Sequence, residues 1–181
     1  MVGDKKYNSL KLKLSRLFAY KKAIKAARVA ETCSLDKAQT VGVTFAVRKP
    51  ADLEQIRKVL KALAALKIKT FALGYIPEKK PGDFYLSEKS FNFFSDKDLD
   101  FLLQPKAEDA LAFQDSVFDI LIDLGTEQYY PMELLLNKSK AKFKVGWYCD
   151  NSPFDLMINT PKEQGLEYYF SQVLHYLKNL K

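Results

Sequence analysis

Thr40-Val41-Gly42-Val43-Thr44-Phe45-Ala46-Val47 is nearly continuous in apolarity and rich in β-branched residues. A strand buried on both of its faces reads this way. The run meets Arg48-Lys49-Pro50, and beyond it Leu53, Ile56, Leu60, Leu63 and Leu66 recur at helical spacing over residues 51–67. Pro50 suits a first helical turn, and Asp52 suits the positive end of the helix dipole. Lys69-Thr70-Phe71-Ala72-Leu73-Gly74-Tyr75-Ile76 then forms a second strand, which the loop at residues 77–82 ends. A strand, a helix and a strand in this order imply a parallel pair joined by a right-handed crossover.

The same alternation continues toward the carboxyl terminus. Val117-Phe118-Asp119-Ile120-Leu121-Ile122-Asp123-Leu124 is a third strong strand, closed by Gly125. A helix is expected over residues 130–138 through Met132, Leu135 and Leu136, with Pro131 in its first turn. Ala141-Lys142-Phe143-Lys144-Val145-Gly146-Trp147 reads as a strand, Phe154-Asp155-Leu156-Met157-Ile158 as a short one, and residues 163–180 as a closing helix. The less legible middle offers Tyr85-Leu86 and Phe91-Asn92-Phe93-Phe94 as short strands and residues 107–113 as a short helix. The pattern predicts one α/β domain over residues 38–181, a three-layer α/β/α, Rossmann-like arrangement whose sheet is mainly parallel. The strands at Val41, Phe71, Ile120 and Phe143 are expected to be neighbours.

Composition is consistent with this. The chain has 181 residues, of which 48% are hydrophobic, 13% aromatic and 28% charged, a globular profile with enough length to bury a core without a metal or a disulfide framework. Two cysteines, Cys33 and Cys149, and the single histidine, His175, cannot supply a Cys/His zinc site. The scarcity of histidine also leaves no Ser-His-Asp or Cys-His arrangement to draw. The seven glycines are scattered, so neither the dinucleotide fingerprint nor the P-loop spacing occurs. No metal and no cofactor are expected. The absence of a long apolar run, and an N-terminus without the apolar core of a signal peptide, point to a cytoplasmic protein.

Charge sets one segment apart. Residues 1–28 carry nine basic residues against the single acid Asp4, a net of +8, while the other 20 basic and 21 acidic residues net −1. This basic segment reads as one long helix over residues 5–30, within an N-terminal unit of residues 1–37. Leu10, Leu14, Leu17, Ile24 and Ala27 form its stripe, widened by Phe18 and Tyr20 and interrupted by Lys21. The expected role is packing of Leu10, Leu14, Leu17 and Ile24 against the body, a second copy of the chain or another protein. Nucleic acid and an anionic membrane surface are the competing partners.

In open α/β sheets ligands collect outside the carboxyl ends of the strands. The loops expected there carry Arg48 and Lys49, residues 75–80, then Asp123, Thr126 and Glu127, and finally Trp147, Asp150 and Asn151. Cations, carboxylates, hydroxyls and aromatics together suit a polar small molecule such as a sugar or a nucleotide. Asp96, Asp98 and Asp100 alternate, but the glycine and glutamate of a helix-loop-helix calcium site are replaced by Phe101 and Ala107. The functional expectation is a non-catalytic binding or assembly module. The alternative is a small sugar- or nucleotide-handling enzyme with its site at the strand ends.

Two resemblances bear on this reading. Phe118-Asp119-Ile120-Leu121-Ile122-Asp123-Leu124-Gly125, with the stretch from Leu134-Leu135-Leu136 to Lys144-Val145-Gly146-Trp147, is similar to the acceptor-side half of heptosyltransferase-type glycosyltransferases. That family opens its first strand on a Gly-Asp loop where this chain has Arg48-Lys49-Pro50, so the likeness does not imply transfer activity. As a whole the sequence resembles a small group of uncharacterised cytoplasmic proteins of Bacteroidetes that share the Ile-Asp-Leu and Ala-Lys-Phe-Lys-Val-Gly segments. This implies an α/β fold and no known activity.

Overall fold

In the computed structural model, which describes residues 7, 9–20, 28–82, 91–150 and 152–180, the Thr40 run forms the centre of the sheet. After helix α1 (Ser9–Ser15) come β1 (Thr40–Ala46), α2 (Pro50–Ala65), β2 (Lys69–Ile76), β3 (Phe91–Ser95), α3 (Glu108–Asp115), β4 (Ile120–Asp123), α4 (Tyr130–Lys138), β5 (Phe143–Trp147), β6 (Leu156–Ile158) and α5 (Gly165–Asn179). The six strands make one sheet in the order β3-β2-β1-β4-β5-β6, and every pairing is parallel. The four strands expected to be neighbours are neighbours. Tyr85-Leu86 lies outside the described residues.

The sheet is covered on both faces, as side-chain alternation along each strand dictates. Val41, Val43 and Phe45 of β1 and Ile120 and Ile122 of β4 share a core with Leu53, Ile56 and Leu63 of α2 and Tyr169, Val173 and Leu177 of α5. Leu73 and Tyr75 of β2 and Leu121 of β4 face the other way, onto Phe113 of α3 and Met132, Leu135 and Leu136 of α4. Gly42 is required on that second face: a Cβ built there would lie 2.6 Å from the Phe118 ring.

The N-terminal segment is not the single long helix that its spacing predicts. Helix α1 has seven residues and gives way to a wider, π-type turn over Arg16–Tyr20. From Arg28 the chain runs without helix to Ser34, because its polar groups are bound to the body. The Arg28 guanidinium donates to the Lys142 carbonyl at 2.7 Å and pairs with Asp155. Glu31 N–H also reaches the Lys142 carbonyl, and Leu35 N–H reaches that of Leu177. Peptide groups committed to the body cannot close an i to i−4 ladder.

The expected stripe is covered only in part: Leu14 is half-buried, while Leu10 and Leu17 point to solvent. Tyr7 and Leu12 pack on Leu103, Tyr130 and Leu134, and the buried Ser15 hydroxyl donates to the Leu102 carbonyl and lies 3.1 Å from Tyr130 Oη. Leu10 and Leu17 are 65% and 56% exposed, which corrects their expected burial against the body. Lys21, Ile24 and Ala27 lie outside the described residues. Among the described residues no helix is long and apolar enough to cross a membrane.

Candidate functional site

β1 leads through α2 to β2 on one side of the sheet, while its other neighbour, β4, leads through α4 to β5 on the opposite side. The connections therefore diverge above the β1–β4 pair and leave a crevice at its carboxyl end, the place where open α/β sheets bind ligands. A cleft of about 590 Å³ lies there. Arg48, Lys49 and Asp52 wall it from the β1–α2 side, and Thr126, Glu127 and Tyr129 from the β4–α4 side. Gly165 and Leu166 bring the start of α5 to its edge.

Two of the charges of this cleft are paired with each other. Arg48 Nη1 donates to Glu127 Oε1 at 2.6 Å, and Tyr129 Oη donates to Glu127 Oε2 at 2.8 Å. Burial, and then the Glu127 carboxylate beside it, push the Tyr129 phenol above its ordinary range. Asp52 Oδ2 accepts the backbone N–H groups of Arg48 and Lys49 at 3.0 and 3.1 Å. The anion seat at the start of α2 is thus filled by the helix's own carboxylate, and Pro50 contributes no N–H. The Arg48 and Lys49 N–H groups, which a pyrophosphate would need in the manner of dinucleotide-binding sheets, are taken by Asp52.

Of the residues expected at the site, Arg48, Lys49, Thr126 and Glu127 meet in the cleft, and Asp123, Trp147 and Asp150 do not line it. Asp123 is 8% exposed and points to the Thr44 side of the sheet, where its Oδ1 accepts the Thr44 hydroxyl at 2.7 Å. The period of two along β4 explains this: Ile120, Ile122 and Leu124 face α2 and α5, so Asp123 shares the face of Leu121. Burial pushes the Asp123 carboxyl up to about 6, against the pull of the hydrogen bonds from Thr44 and Gly125. Trp147 is buried and stacks on Tyr169 with centroids 3.9 Å apart, and Tyr169 Oη donates to the Asp123 carbonyl at 3.1 Å. Asp150 is exposed in the turn after β5, and Asn151 lies outside the described residues.

Tyr129 and the capping role of Asp52 are the cleft features that sequence reasoning missed. Tyr129 stands immediately before Tyr130-Pro131, a position that signals a helix start without indicating a partner. The other acids flagged in the sequence serve structure. Asp119, at the amino end of the sheet, accepts from Gln39 N, Thr40 N, Thr40 Oγ1 and Lys142 Nζ. Burial alone would raise its carboxyl, but these donors hold it down to about 2. Asp98 caps Ser95, Asp100 accepts from Leu102 N and Gln104 N, and Asp96 accepts the Tyr75 hydroxyl at 2.5 Å. Among the described residues no group of three or more His, Cys, Asp or Glu side chains could hold a metal ion.

A family model described as a family of unknown function, DUF6913, matches residues 6–180, which takes in α1 as well as the sheet. No curated protein and no solved structure matches the chain. These comparisons lend no support to the glycosyltransferase likeness or to the grouping with Bacteroidetes proteins.

Proposed function

The chain belongs to the family of unknown function DUF6913, and we propose that it works as a cytoplasmic, non-catalytic binding module that holds one polar small molecule in the cleft between β1 and β4. The observation that carries this reading is the cleft itself, at the reversal of strand order, with Arg48, Glu127 and Tyr129 already locked together on its wall. A preformed cluster of donors and acceptors supports recognition, because little ordering is left for the ligand to impose. The self-capped start of α2 favours a ligand recognised through hydroxyl and amide groups over one recognised through a diphosphate.

The enzyme alternative, a sugar- or nucleotide-handling protein, draws on Asp123. A carboxyl that titrates near 6 at the end of a central strand is a candidate acid or base, although its side chain lies behind the cleft. A thermal-shift screen of sugars, nucleosides, sugar phosphates and nucleotides tests both readings. A ligand at 100 times its dissociation constant raises stability by about 2.7 kcal/mol. The binding reading expects a shift that Glu127→Ala abolishes and Asp123→Asn preserves. A ligand that is also turned over, with turnover lost in Asp123→Asn, would replace it with the enzyme, and a screen without any shift would remove support from both.

A further inference from the structure

We propose that the outward face of α1 and the turn that follows it docks on an anionic membrane surface. Leu10, Leu17 and Phe18 are 65%, 56% and 64% exposed, and beside the helix Phe101 is 71% exposed with Lys11 Nζ 5.7 Å from its ring centroid. Leu10, Leu17 and Phe18 leave apolar side chains in solvent on a segment whose opposite side is fixed, and Phe101 adds another from the neighbouring loop. Leu12 and Tyr7 are packed on Leu103, Tyr130 and Leu134, and Ser15 is hydrogen-bonded beneath them. The exposed stripe therefore cannot turn inward without breaking the contacts that hold the segment to the body.

Charge selects the occupant. The first 28 residues carry a net +8 from nine basic residues and one acid, and Lys13 is exposed between Leu10 and Leu17, while Arg16 lies over the Tyr130 ring on the attached side. A second copy of the chain would bring an equally cationic segment against this one, and like charges at close range oppose that contact. A nucleic acid would take the lysines but leave the leucines and phenylalanines in water. An anionic lipid surface accommodates both sets, with aliphatic and aromatic side chains at the headgroup boundary and lysines among the phosphates. This places the protein against the membrane without crossing it. The inference does not depend on the binding reading of that cleft.

The test is co-sedimentation of the full chain with vesicles made of equal parts phosphatidylserine and phosphatidylcholine, and with pure phosphatidylcholine. We expect binding to the first and not to the second, weakening as salt rises from about 50 to 200 mM. The double variant Leu17→Ser, Phe18→Ser keeps the charge and should lose at least roughly tenfold in affinity with an unchanged melting temperature. Should that variant melt lower, Phe101→Ser, on a separate loop, serves the same comparison. Equal binding by wild type and variants, or no binding to the anionic vesicles, overturns the proposal. So does a concentration-dependent dimer that the double variant dissolves, which would assign the face to a second copy. Salt-sensitive binding to duplex DNA without vesicle binding would assign the arm to nucleic acid.

Discussion

Along α2, Leu53, Ile56, Leu60 and Leu63 are between 0% and 9% exposed, whereas Leu10 and Leu17, spaced as one helical stripe, are 65% and 56% exposed. Both segments repeat leucine-like residues at three- and four-residue steps, both are studded with lysine, and only one buries its stripe. The difference lies in what each segment is laid against. α2 is placed by a crossover between two strands whose residues, Val41, Val43 and Phe45 among them, are apolar on the facing side, so its stripe meets a ready hydrophobic layer. α1 lies on a loop surface at Leu102 and Leu103 and on the side of α4, where a buried serine and a tyrosine hydroxyl make the attachment. Periodicity thus establishes that a helix has two chemically different faces, while the neighbouring layer decides which of them is covered.

The largest effect that separates the two regions belongs to α2. Leu63 is fully buried, and truncation there removes both transfer free energy and packing. Leu63→Ala should cost about 2 to 5 kcal/mol, measured as a lower denaturant midpoint at an unchanged slope. A loss below 1 kcal/mol would mean that α2 is as loosely held as α1 and would dissolve the contrast.

The next effect concerns the sheet's one buried carboxyl near the cleft. Burial pushes the Asp123 carboxyl up to about 6 in the folded protein, against 3.8 for a carboxyl in water. Its folded form therefore holds a proton more tightly than the unfolded chain does. The associated stability is fully present below the unfolded value and is lost as pH rises through about 6, in total ~3 kcal/mol. Asp119 behaves in the reverse sense, because its donors hold it down to about 2 and its contribution disappears only in strong acid. Melting curves from pH 4 to 8 on wild type and Asp123→Asn, in roughly unit steps, should show a decline that the variant flattens. A decline of equal size in the variant would assign the pH dependence to other groups.

These two acids also show which parts of the molecule could be read in advance. The strands announced themselves through β-branched, unbroken apolar runs, and their alternation with helices placed the loops of Arg48, Lys49, Thr126 and Glu127 at one end of the sheet. The orientation of Asp123 was not read in advance: the sequence placed it among the ligand loops, and its turn to the Thr44 side shows only once Ile120 and Ile122 are seen on the α2 face. Pairings across long separations were not legible. Arg48 meets Glu127 at a separation of 79 residues, and nothing in either segment identifies the other. The non-helical course from Arg28 to Ser34 was likewise hidden, because it goes with Arg28 and Glu31 finding the Lys142 carbonyl, a group that every residue possesses and no sequence pattern marks.

The smallest effects lie in α1 and test whether its polar attachment, rather than its leucines, holds it in place. Ser15 is fully buried, and its hydroxyl satisfies the Leu102 carbonyl beside Tyr130. Ser15→Ala leaves that carbonyl and the tyrosine hydroxyl with one partner fewer in a buried setting, at a cost of about 1 kcal/mol. Leu17→Ala, three-fifths of the way to full exposure on the opposite side, should change stability by no more than about 0.5 kcal/mol. Leu17→Ala removes three carbon atoms and Ser15→Ala a single oxygen, so the smaller substitution having the larger effect would be informative even if both values are modest. A Leu17→Ala loss larger than that of Ser15→Ala would mean that the leucine face is covered in solution and that the attachment has been assigned to the wrong side of the helix.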